Sequence, residues 1–354
     1  EGAGTVVDGG TLLVTGAIVA ASNVAVNNAG SVLGGTGTAA GSVTVNAGAA
    51  IAPGTTGTGI FNVGSSGQVL TFADSSQLSI QLGGTPPTDG SGAGSNDQVN
   101  AVGAVTVGDN VALAVTAFGG YTPAGGEAFV VLRNDADDAI GGTFAALAEG
   151  ATYSTDFLGS GLTARITYYG GDGNDVALIV DGDAVFTGDG TGENFELRRL
   201  TSVSPAYDLI QLLRGGVVVD SRPFASVTSY TVDAQGGNDS LAVNYGASGG
   251  FFPQPVTFQG GTGANALAIT GGTFGTETYN YTGAANGQVQ LAGPAASITY
   301  TEVSGITATN STTDRVFNLP ATDDAVILGD DGTGGNSLSR LWSAGGTFAA
   351  GLRG

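Results

Sequence analysis

The sequence predicts an all-β protein whose first part is a solenoid, and two observations lead to this prediction. A short apolar segment that follows a glycine returns four times at nearly constant spacing, after Gly10, Gly30, Gly48 and Gly67. A period of about 20 residues is typical of solenoids, in which each coil buries its apolar face against its neighbours. Apolar residues also occur in short alternating runs interrupted by Gly, Asn, Asp and Thr, a pattern typical of many short strands.

The composition favours a folded, β-rich chain. Of the 354 residues, 41% are hydrophobic, 11% are charged and 64 are glycine. This hydrophobicity excludes ordinary disorder, and the glycines lack the three-residue period of collagen. No segment keeps helical periodicity over the roughly ten residues that a helix needs, and no apolar run reaches the roughly 18 residues of a membrane span. We therefore expect no membrane insertion of this segment.

The charge and the missing residue types limit the possible functions. The net charge is −21, with nine arginines and no lysine, histidine or cysteine. An acidic surface repels phosphates, which argues against nucleic acid as a partner, and it suits calcium binding. Without these residue types the chain cannot form a Ser-His or Cys nucleophile, a lysine Schiff base or a phosphate loop with its lysine. Carboxylate chemistry remains, but Glu1 and Asp8 are the only acids before Asp74.

Changes of composition along the chain predict four segments. Residues 1–82 form the regular solenoid coils, and residues 83–180 contain an irregular excursion followed by a β-rich cap. Residues 181–314 form a second β domain, and residues 315–354 form an incomplete β module. The chain begins at Glu1 as though inside a repeat and stops at Gly354 without a closing turn, so we expect a piece of something longer. The cap is expected to close the coil stack with large side chains, which are Phe129, Phe144, Tyr168 and Tyr169.

Several short motifs connect the first half of the chain with a known family. They are VDGGTLLV at residues 7–14, RND at 133–135 followed by GTF at 142–144, and YGGDGNDV at 169–176. On these motifs, residues 5–180 resemble the passenger β-helix of bacterial autotransporters and related surface proteins. The resemblance implies a right-handed parallel β-solenoid with a β-rich cap, in an extracellular or bacterial cell-surface location. Residues 256–306, with GGTF at 271–274 and ITYT at 298–301, resemble modules of large secreted proteins of planctomycete-like bacteria. We expect one or two β-sandwich-like modules after the solenoid.

The best candidate for a metal site is the glycine turn at residues 170–175. Its hard oxygen donors, on Asp172, Asn174 and Asp175, suit calcium. The turn resembles the calcium nonapeptide Gly-Gly-x-Gly-x-Asp-x-U-x, but Ala177 stands where the large apolar residue belongs, and the motif is single. The alternative is a tight turn in which Asp and Asn bond their own backbone.

Other acidic loops are weaker candidates for calcium. Asp135, Asp137 and Asp138 form the second candidate site. Two further loops, with Asp181, Asp183 and Asp189 and with Asp330 and Asp331, are interpreted as solvated turns rather than ligand sets. Calcium is the only cofactor that the sequence suggests.

Two further groups of residues are interpreted as structural. Asn27 and Asn46 occupy matching places in successive repeats, and we expect them to stack as a hydrogen-bonded ladder. An aromatic group in the second half is interpreted as a domain core rather than a sugar-stacking platform. Its members are Phe251, Phe252, Phe258, Tyr279 and Tyr281.

These features favour a non-enzymatic extracellular structural protein, either a self-assembling filament or a cell-surface scaffold subunit. A first coil without a cap and a last module without its closing strands leave edges that pair with a neighbour, so we expect a homo-oligomer or head-to-tail filament. One alternative is a surface adhesin or stalk that binds surface glycans, which would show an aromatic or acidic patch in a groove. Another is a polysaccharide-cleaving β-helix enzyme, which requires clustered carboxylates on one solenoid face.

Overall fold

The chain folds into two compact units. The computed structural model describes residues 4–85, 95–134, 138–201, 208–320, 325–330, 332, 339–346 and 350–353. Unit 1 contains Glu1–Asp181 and Asp220–Ser226, and unit 2 contains Gly182–Val219 and Val227–Gly354. The described residues contain no α-helix, only two short 3-10 turns at Phe157–Gly159 and Phe224–Ser226, which confirms the predicted all-β class. The four predicted segments stay predictions.

Eighteen described strands precede Asp181, and most are only three or four residues long. They are β1 (Thr5–Val7), β2 (Thr11–Val14), β3 (Ala17–Ile18), β4 (Val24–Val26), β5 (Val32–Gly35), β6 (Thr38–Ala39), β7 (Val43–Val45), β8 (Ala50–Pro53), β9 (Ile60–Val63), β10 (Leu70–Phe72), β11 (Gln77–Leu82), β12 (Gln98–Ala101), β13 (Val105–Val107), β14 (Ala112–Ala117), β15 (Ala128–Arg133), β16 (Thr152–Ser154), β17 (Ala164–Gly170) and β18 (Asp175–Val180). The described part of the chain has no helix with the length and hydropathy that crossing a bilayer requires.

The first fifteen strands are arranged as five triplets of consecutive strands, and each triplet gives one strand to each of three sheets. The first sheet has the order β1-β4-β7-β10-β13, and the second has the order β2-β5-β8-β11-β14. The third sheet runs β3-β6-β9-β12-β15 and then continues with β18, β17 and β16. Neighbouring strands among the first fifteen are parallel, so each sheet grows in chain order.

The parallel register stacks like residues on one another. In the first sheet Val7 pairs with Val26, Val26 with Val45, and Val45 with Phe72, and all four are buried. In the second sheet Leu33 pairs with Ile51 and Ile51 with Leu78, all without exposed surface. Alternation of inward and outward residues within each strand makes these rows continuous. Each fully buried Val, Leu or Ile contributes roughly 1.5–3 kcal/mol of apolar burial.

The glycines of the predicted repeat are turn residues, but the fourth lies at a different corner. Gly10, Gly30 and Gly48 precede strands of the second sheet and have φ of 71°, 84° and 76°. Gly67 precedes β10, which belongs to the first sheet. The residue that takes the place of Gly48 in the next triplet is Ser75, which also has a positive φ, of 63°. The Ser75 carbonyl accepts a hydrogen bond from the Gly48 N–H at 2.9 Å. The predicted position of the fourth repeat, at Gly67, is therefore wrong, because the third triplet has longer connections.

Polar side chains continue the stacking at one corner. Asn46 Nδ2 donates to Asn27 Oδ1 at 2.7 Å, and Asn27 Nδ2 donates to Asp8 Oδ1 at 2.8 Å. The predicted asparagine ladder is confirmed, and Asp8 is its first member. Because each rung uses the same kind of contact one triplet further along, the ladder reinforces the register of the strands.

The third sheet changes from parallel to antiparallel pairing after β15. Strands β15 and β18, β18 and β17, and β17 and β16 are antiparallel neighbours. The rings of Phe144 and Tyr168 stack at 6.4 Å, and the Tyr168 hydroxyl accepts from the Phe144 N–H at 2.8 Å. Phe129 is also buried there, against Tyr121 and Phe157. Three of the four large side chains expected in this region, Phe129, Phe144 and Tyr168, are thus buried in two aromatic groups, and Tyr169 is only partly buried.

Sixteen described strands follow Asp181. They are β19 (Gly182–Thr187), β20 (Asn194–Thr201), β21 (Asp208–Arg214), β22 (Val217–Pro223), β23 (Val227–Asp233), β24 (Ser240–Asn244), β25 (Val256–Gln259), β26 (Ala266–Thr270), β27 (Thr273–Gly283), β28 (Asn286–Ala292), β29 (Ala296–Thr301), β30 (Gly305–Ala308), β31 (Ser311–Asn318), β32 (Val326–Asp330), β33 (Ser339–Ser343) and β34 (Ala350–Arg353). Gly215 and Gly216 form the turn between β21 and β22.

These strands form two sheets, of seven and nine strands. The order is β19-β23-β25-β29-β28-β27-β31 in the first and β22-β21-β20-β24-β26-β30-β34-β33-β32 in the second. Consecutive strands alternate between the two sheets from β23 to β26, and their neighbours are parallel. The aromatic group predicted as a domain core is confirmed: Phe252, Phe258, Tyr279 and Tyr281 are buried, and Phe251 is partly buried and stacks on Tyr245.

One ion pair lies inside unit 2. Arg315 Nε and Glu277 Oε2 are 2.6 Å apart on the paired strands β31 and β27, and both side chains are almost fully enclosed. Arg315 also donates to the Asn310 carbonyl at 3.1 Å. Removal of one partner would leave an uncompensated buried charge and lower the free energy of unfolding by about 3–5 kcal/mol. The pair therefore holds β31 to the seven-stranded sheet.

A buried carboxylate joins strand β11 to the connection that precedes β9 in unit 1. Asp97 Oδ1 accepts from the Gly59 N–H and Oδ2 from the Gln81 N–H, each at 2.8 Å. Burial raises the pKa of Asp97 to about 6, against the opposing effect of these two hydrogen bonds. The side chain thus serves as the acceptor for two backbone donors, one in the connection before β9 and one in β11, beyond the residues of β11 that pair with β8.

We predict that Asp97 makes unit 1 less stable as the pH rises. Since the folded-state pKa lies above the ordinary value of 3.8, the protonated form is favoured by folding. The contribution is full below about pH 3.8 and is lost as the pH rises through about 6, by up to about 3 kcal/mol. The test is to measure the free energy of unfolding of the unaltered protein and of Asp97→Asn between pH 3.5 and pH 7.5. The difference between the two should fall as the pH rises, because it isolates the contribution of Asp97. A flat difference profile would contradict the assignment.

Candidate functional site

The candidate site is the turn at residues 170–175, which joins β17 to β18. The Gly173 N–H donates to the Gly170 carbonyl at 2.8 Å and closes the turn. Gly171 has φ of 56°, and a Cβ atom there would lie 2.0 Å from Asp175 Oδ2. Glycine is needed at this position because the Asp175 carboxylate occupies the space of a side chain.

Asp175 is the buried centre of this turn. Its Oδ1 accepts from the Asn134 N–H at 2.7 Å, and the Asp172 N–H also donates to its carboxylate. Burial raises the pKa of Asp175 to about 7, and the neighbouring charge of Asp172 adds to the rise, whereas the hydrogen bonds and Arg133 oppose it. The carboxylate therefore ties the turn to the end of β15.

Three further oxygen atoms around the turn have no hydrogen-bond donor. They are Asn134 Oδ1, Asp172 Oδ1 and Asn174 Oδ1, and each is shielded from solvent. Asn134 as a whole is only 2% exposed. The amides of Asn134 and Asn174 both donate from Nδ2 to the same atom, the Asp138 carbonyl oxygen, the latter at 2.9 Å. Burial raises the pKa of Asp172, against the opposing charge of Arg133.

The structure brings together the first predicted calcium set, Asp172, Asn174 and Asp175. Of the second predicted set, Asp138 takes part through its carbonyl oxygen, and its side chain is exposed. Asp135 and Asp137 lie outside the described residues. Among the described residues, no group of three or more carboxylate, histidine or cysteine side chains is arranged to hold a metal ion. Any cation at this turn would depend on amide and carbonyl oxygens as well as carboxylates.

Sequence spacing alone does not identify Asn134 as a site residue. It lies far before the turn in the chain, and only the antiparallel pairing of β15 with β18 brings the two together. The run RND at residues 133–135 is one of the motifs that carry the family resemblance, but nothing in its spacing links it to residues 170–175.

The other acidic loops have ordinary partners where they are described. Asp181 binds Arg165 at 3.0 Å, and Asp183 accepts hydrogen bonds from the Thr228 and Ser229 hydroxyls. These two hydroxyl contacts lower the pKa of Asp183. Asp189 binds Arg214 at 3.1 Å. Asp330 accepts from the Gly332 N–H at 2.8 Å, and Asp331 lies outside the described residues.

At two turns of unit 2, a buried side-chain oxygen accepts from a backbone N–H of another segment, as Asp175 does in unit 1. Asp239 Oδ1 accepts from the Glu193 N–H at 2.7 Å, and Asn265 Oδ1 accepts from the Asp239 N–H at 2.9 Å. Both capping residues are buried and stand just before a strand. Capping of a neighbouring backbone N–H is thus a structural role that needs no metal. At both the Asp175 and the Asp239 turns, some buried side-chain oxygens remain without a donor after the capping bonds are made.

A shallow groove of about 340 Å³ runs across the outer side of the second sheet. Its lining includes Leu13, Val32, Gln81, Asp97 and Thr116. Small and aliphatic side chains dominate this lining, and none of the described residues that line it is aromatic. The aromatic platform on which sugar rings usually stack is therefore not part of this groove.

We predict that Asp175→Ala lowers the free energy of unfolding by about 2–4 kcal/mol, because two buried backbone N–H groups lose their acceptor. Chemical denaturation of the variant beside the unaltered protein measures the effect. The matched control is Asp109→Ala, since the Asp109 side chain is exposed, and its expected change is within about 0.5 kcal/mol. Equal effects of the two substitutions would show that Asp175 is not the buried cap of this turn.

Comparison of the chain with protein-family models, with curated proteins and with solved structures finds no match. The resemblance of residues 5–180 to autotransporter passenger segments therefore rests on the sequence motifs alone and stays a prediction. What the turn at residues 170–175 does follows from its own geometry: Asp175 ties it to the end of β15, and the Asn174 amide donates to the same Asp138 carbonyl as the Asn134 amide.

Proposed function

We propose that the protein is a non-enzymatic extracellular structural protein, and that unit 1 is a right-handed parallel β-solenoid with a β-rich cap. The return of the chain to the same three sheets in five successive triplets carries the proposal. Each triplet is then one solenoid coil. Right-handedness is expected because parallel strands joined by a crossover are right-handed in about 98% of cases.

The distribution of charge supports a scaffold rather than an enzyme. The part of the chain before Asp74 supplies the first three coils and the first strand of the fourth, and it carries two acids and no base. Stability here comes from continuous apolar rows and from the Asp8–Asn27–Asn46 ladder. A polysaccharide-cleaving enzyme requires paired carboxylates at about 5–10 Å on one face. This part of the chain offers only Glu1 and Asp8 for such a pair, and Asp8 already accepts from Asn27 in the ladder.

The first coil supports self-assembly. Strands β1, β2 and β3 each stand at the end of their sheet order, so three strand edges lie side by side without a described partner. Val6 and Leu13 on these strands are 56% and 46% exposed. Unpaired backbone groups beside exposed apolar side chains are a template for pairing with another β-chain.

Unit 2 offers a different edge. Strand β32 is the last strand of the nine-stranded sheet, and three consecutive apolar residues on it, Val326, Ile327 and Leu328, are exposed. An edge of unit 1 that pairs with an edge of unit 2 in a second copy makes a heterologous contact. Contacts of this kind generate filaments when the rotation does not close. The occupant that we propose for the first-coil edges is therefore a second copy of this chain.

The backbone of β1 allows a selective test of this contact. Thr5 N–H donates to the Asn23 carbonyl, and the Val7 carbonyl accepts from the Asn27 N–H. In a parallel ladder alternate residues bond the same neighbour, so the N–H and carbonyl of Val6 face the unpaired edge. Proline at position 6 removes the outward N–H and leaves the bonds to β4 in place.

We predict that the unaltered protein forms fibres or rings at micromolar concentration and that Val6→Pro lowers the assembled fraction at least tenfold. The matched control, Val6→Thr, keeps the N–H and should assemble. Leu328→Lys tests the other edge, because a charge there opposes strand pairing. Light scattering and electron microscopy measure the assembly, and circular dichroism confirms that the variants fold. A strictly monomeric unaltered protein, or full assembly of Val6→Pro, would contradict the proposal.

A further inference from the structure

We infer that Asp8 of one copy and Arg340 of the next copy form an ion pair across the head-to-tail contact, and that this pair selects which edges meet. The inference rests on the proposed self-assembly, and it names the charged side chains that give the contact its direction. It combines two observations, the open end of the asparagine ladder on the first coil and a stacked arginine beside the edge strand β32.

Asp8 is the open end of the asparagine ladder. Asn46 donates to Asn27, and Asn27 donates to Asp8, so both side-chain donors point toward the first coil and the ladder ends there on a carboxylate. An ionised carboxylate only accepts hydrogen bonds. A strand that stacks beyond Asp8 must therefore bring a donor to it. Asp8 is exposed, and it forms no ion pair with any residue that the structure describes.

Arg340 is held beside the edge strand of unit 2. It pairs with Gly329 of β32, which is the last strand of the nine-stranded sheet. A Cβ atom at Gly329 would lie 3.2 Å from Trp342 Cη2, so the indole ring covers the place of the missing side chain. The guanidinium carbon of Arg340 lies 5.4 Å from the centre of this ring. A cation–π contact of this kind keeps the positive charge close to the outermost strand.

The charge of Arg340 is available to a partner. Five other arginines form ion pairs with carboxylates of their own unit, and they are Arg165, Arg199, Arg214, Arg222 and Arg315. Arg340 is exposed, and within the described ranges no carboxylate lies at ion-pair distance from it. Asp330, the acid on β32, lies on the opposite face of the strand from Gly329, because neighbouring residues alternate.

These two charges distinguish the possible contacts between copies. With a net charge of −21, two copies repel each other as a whole, so an edge contact needs local attraction. Two first-coil edges would bring two Asp8 carboxylates to one contact, and two β32 edges would bring two Arg340 side chains. Only the contact between unlike edges joins opposite charges. Because like charges suppress a wrong pairing, the pair favours a head-to-tail arrangement over a symmetric dimer.

Charge reversal tests the pair. Asp8→Arg and Arg340→Asp should each lower the assembled fraction at least about fivefold, because each puts like charges at the contact. An equimolar mixture of the two variants should regain assembly. In the mixture, the arginine introduced at position 8 meets the aspartate introduced at position 340, and Asp8 meets Arg340. The matched control is Asp109→Arg, which makes the same change of net charge at an exposed position after β13 and should assemble normally.

Light scattering and electron microscopy measure assembly, and circular dichroism checks that each variant folds. Recovery in the mixture also excludes misfolding as the cause of the loss, since two misfolded variants do not restore each other. Full assembly of either single variant, or a mixture that stays unassembled, would overturn the ion pair. If assembly still requires the backbone N–H of Val6 in that case, the proposed self-assembly stands without the pair. A strictly monomeric unaltered protein would overturn both.

Discussion

The in-register parallel pairing of short strands is the constraint on which the rest of unit 1 depends. Pairing of Val7, Val26, Val45 and Phe72 puts one apolar side chain directly over the next, so a row that starts in one triplet must continue in its neighbour. A slip of one residue would turn every buried side chain outward. The strands are too short to be stable alone, and their stability is a property of the stack.

Side-chain oxygens perform the second task of this architecture, which is to satisfy the backbone where the chain leaves a sheet. Asp97, Asp175 and Asp239 do so in enclosed positions, each by accepting from a backbone N–H of another segment. The Asn27–Asn46 ladder adds side-chain pairing at one corner of the triplets. A glycine-rich turn with an acidic residue at its end is thus a structural unit in both halves of the chain.

The sequence is informative where a feature is local and repeated. The positive φ of Gly10, Gly30 and Gly48, the asparagine ladder and the β-rich class all follow from alternation and spacing. The fourth repeat cannot be placed in this way, because the length of a connection is free as long as its strands return in register. Ser75 therefore takes the place expected for Gly67. Asn134 escapes prediction for a related reason, since only long-range strand pairing brings it to the turn.

In the proposed solenoid, the triplets of unit 1 form one cooperative stack with an open first edge. Hydrogen exchange of the backbone amides, resolved by triplet, tests this stack most directly, because protection follows the number of paired neighbours. At concentrations below assembly, β5, β8 and β11 in the second sheet should exchange most slowly, and β1 and β2 should exchange much faster. Equal protection of the first triplet and the middle triplets would contradict the account, and so would fast exchange throughout unit 1.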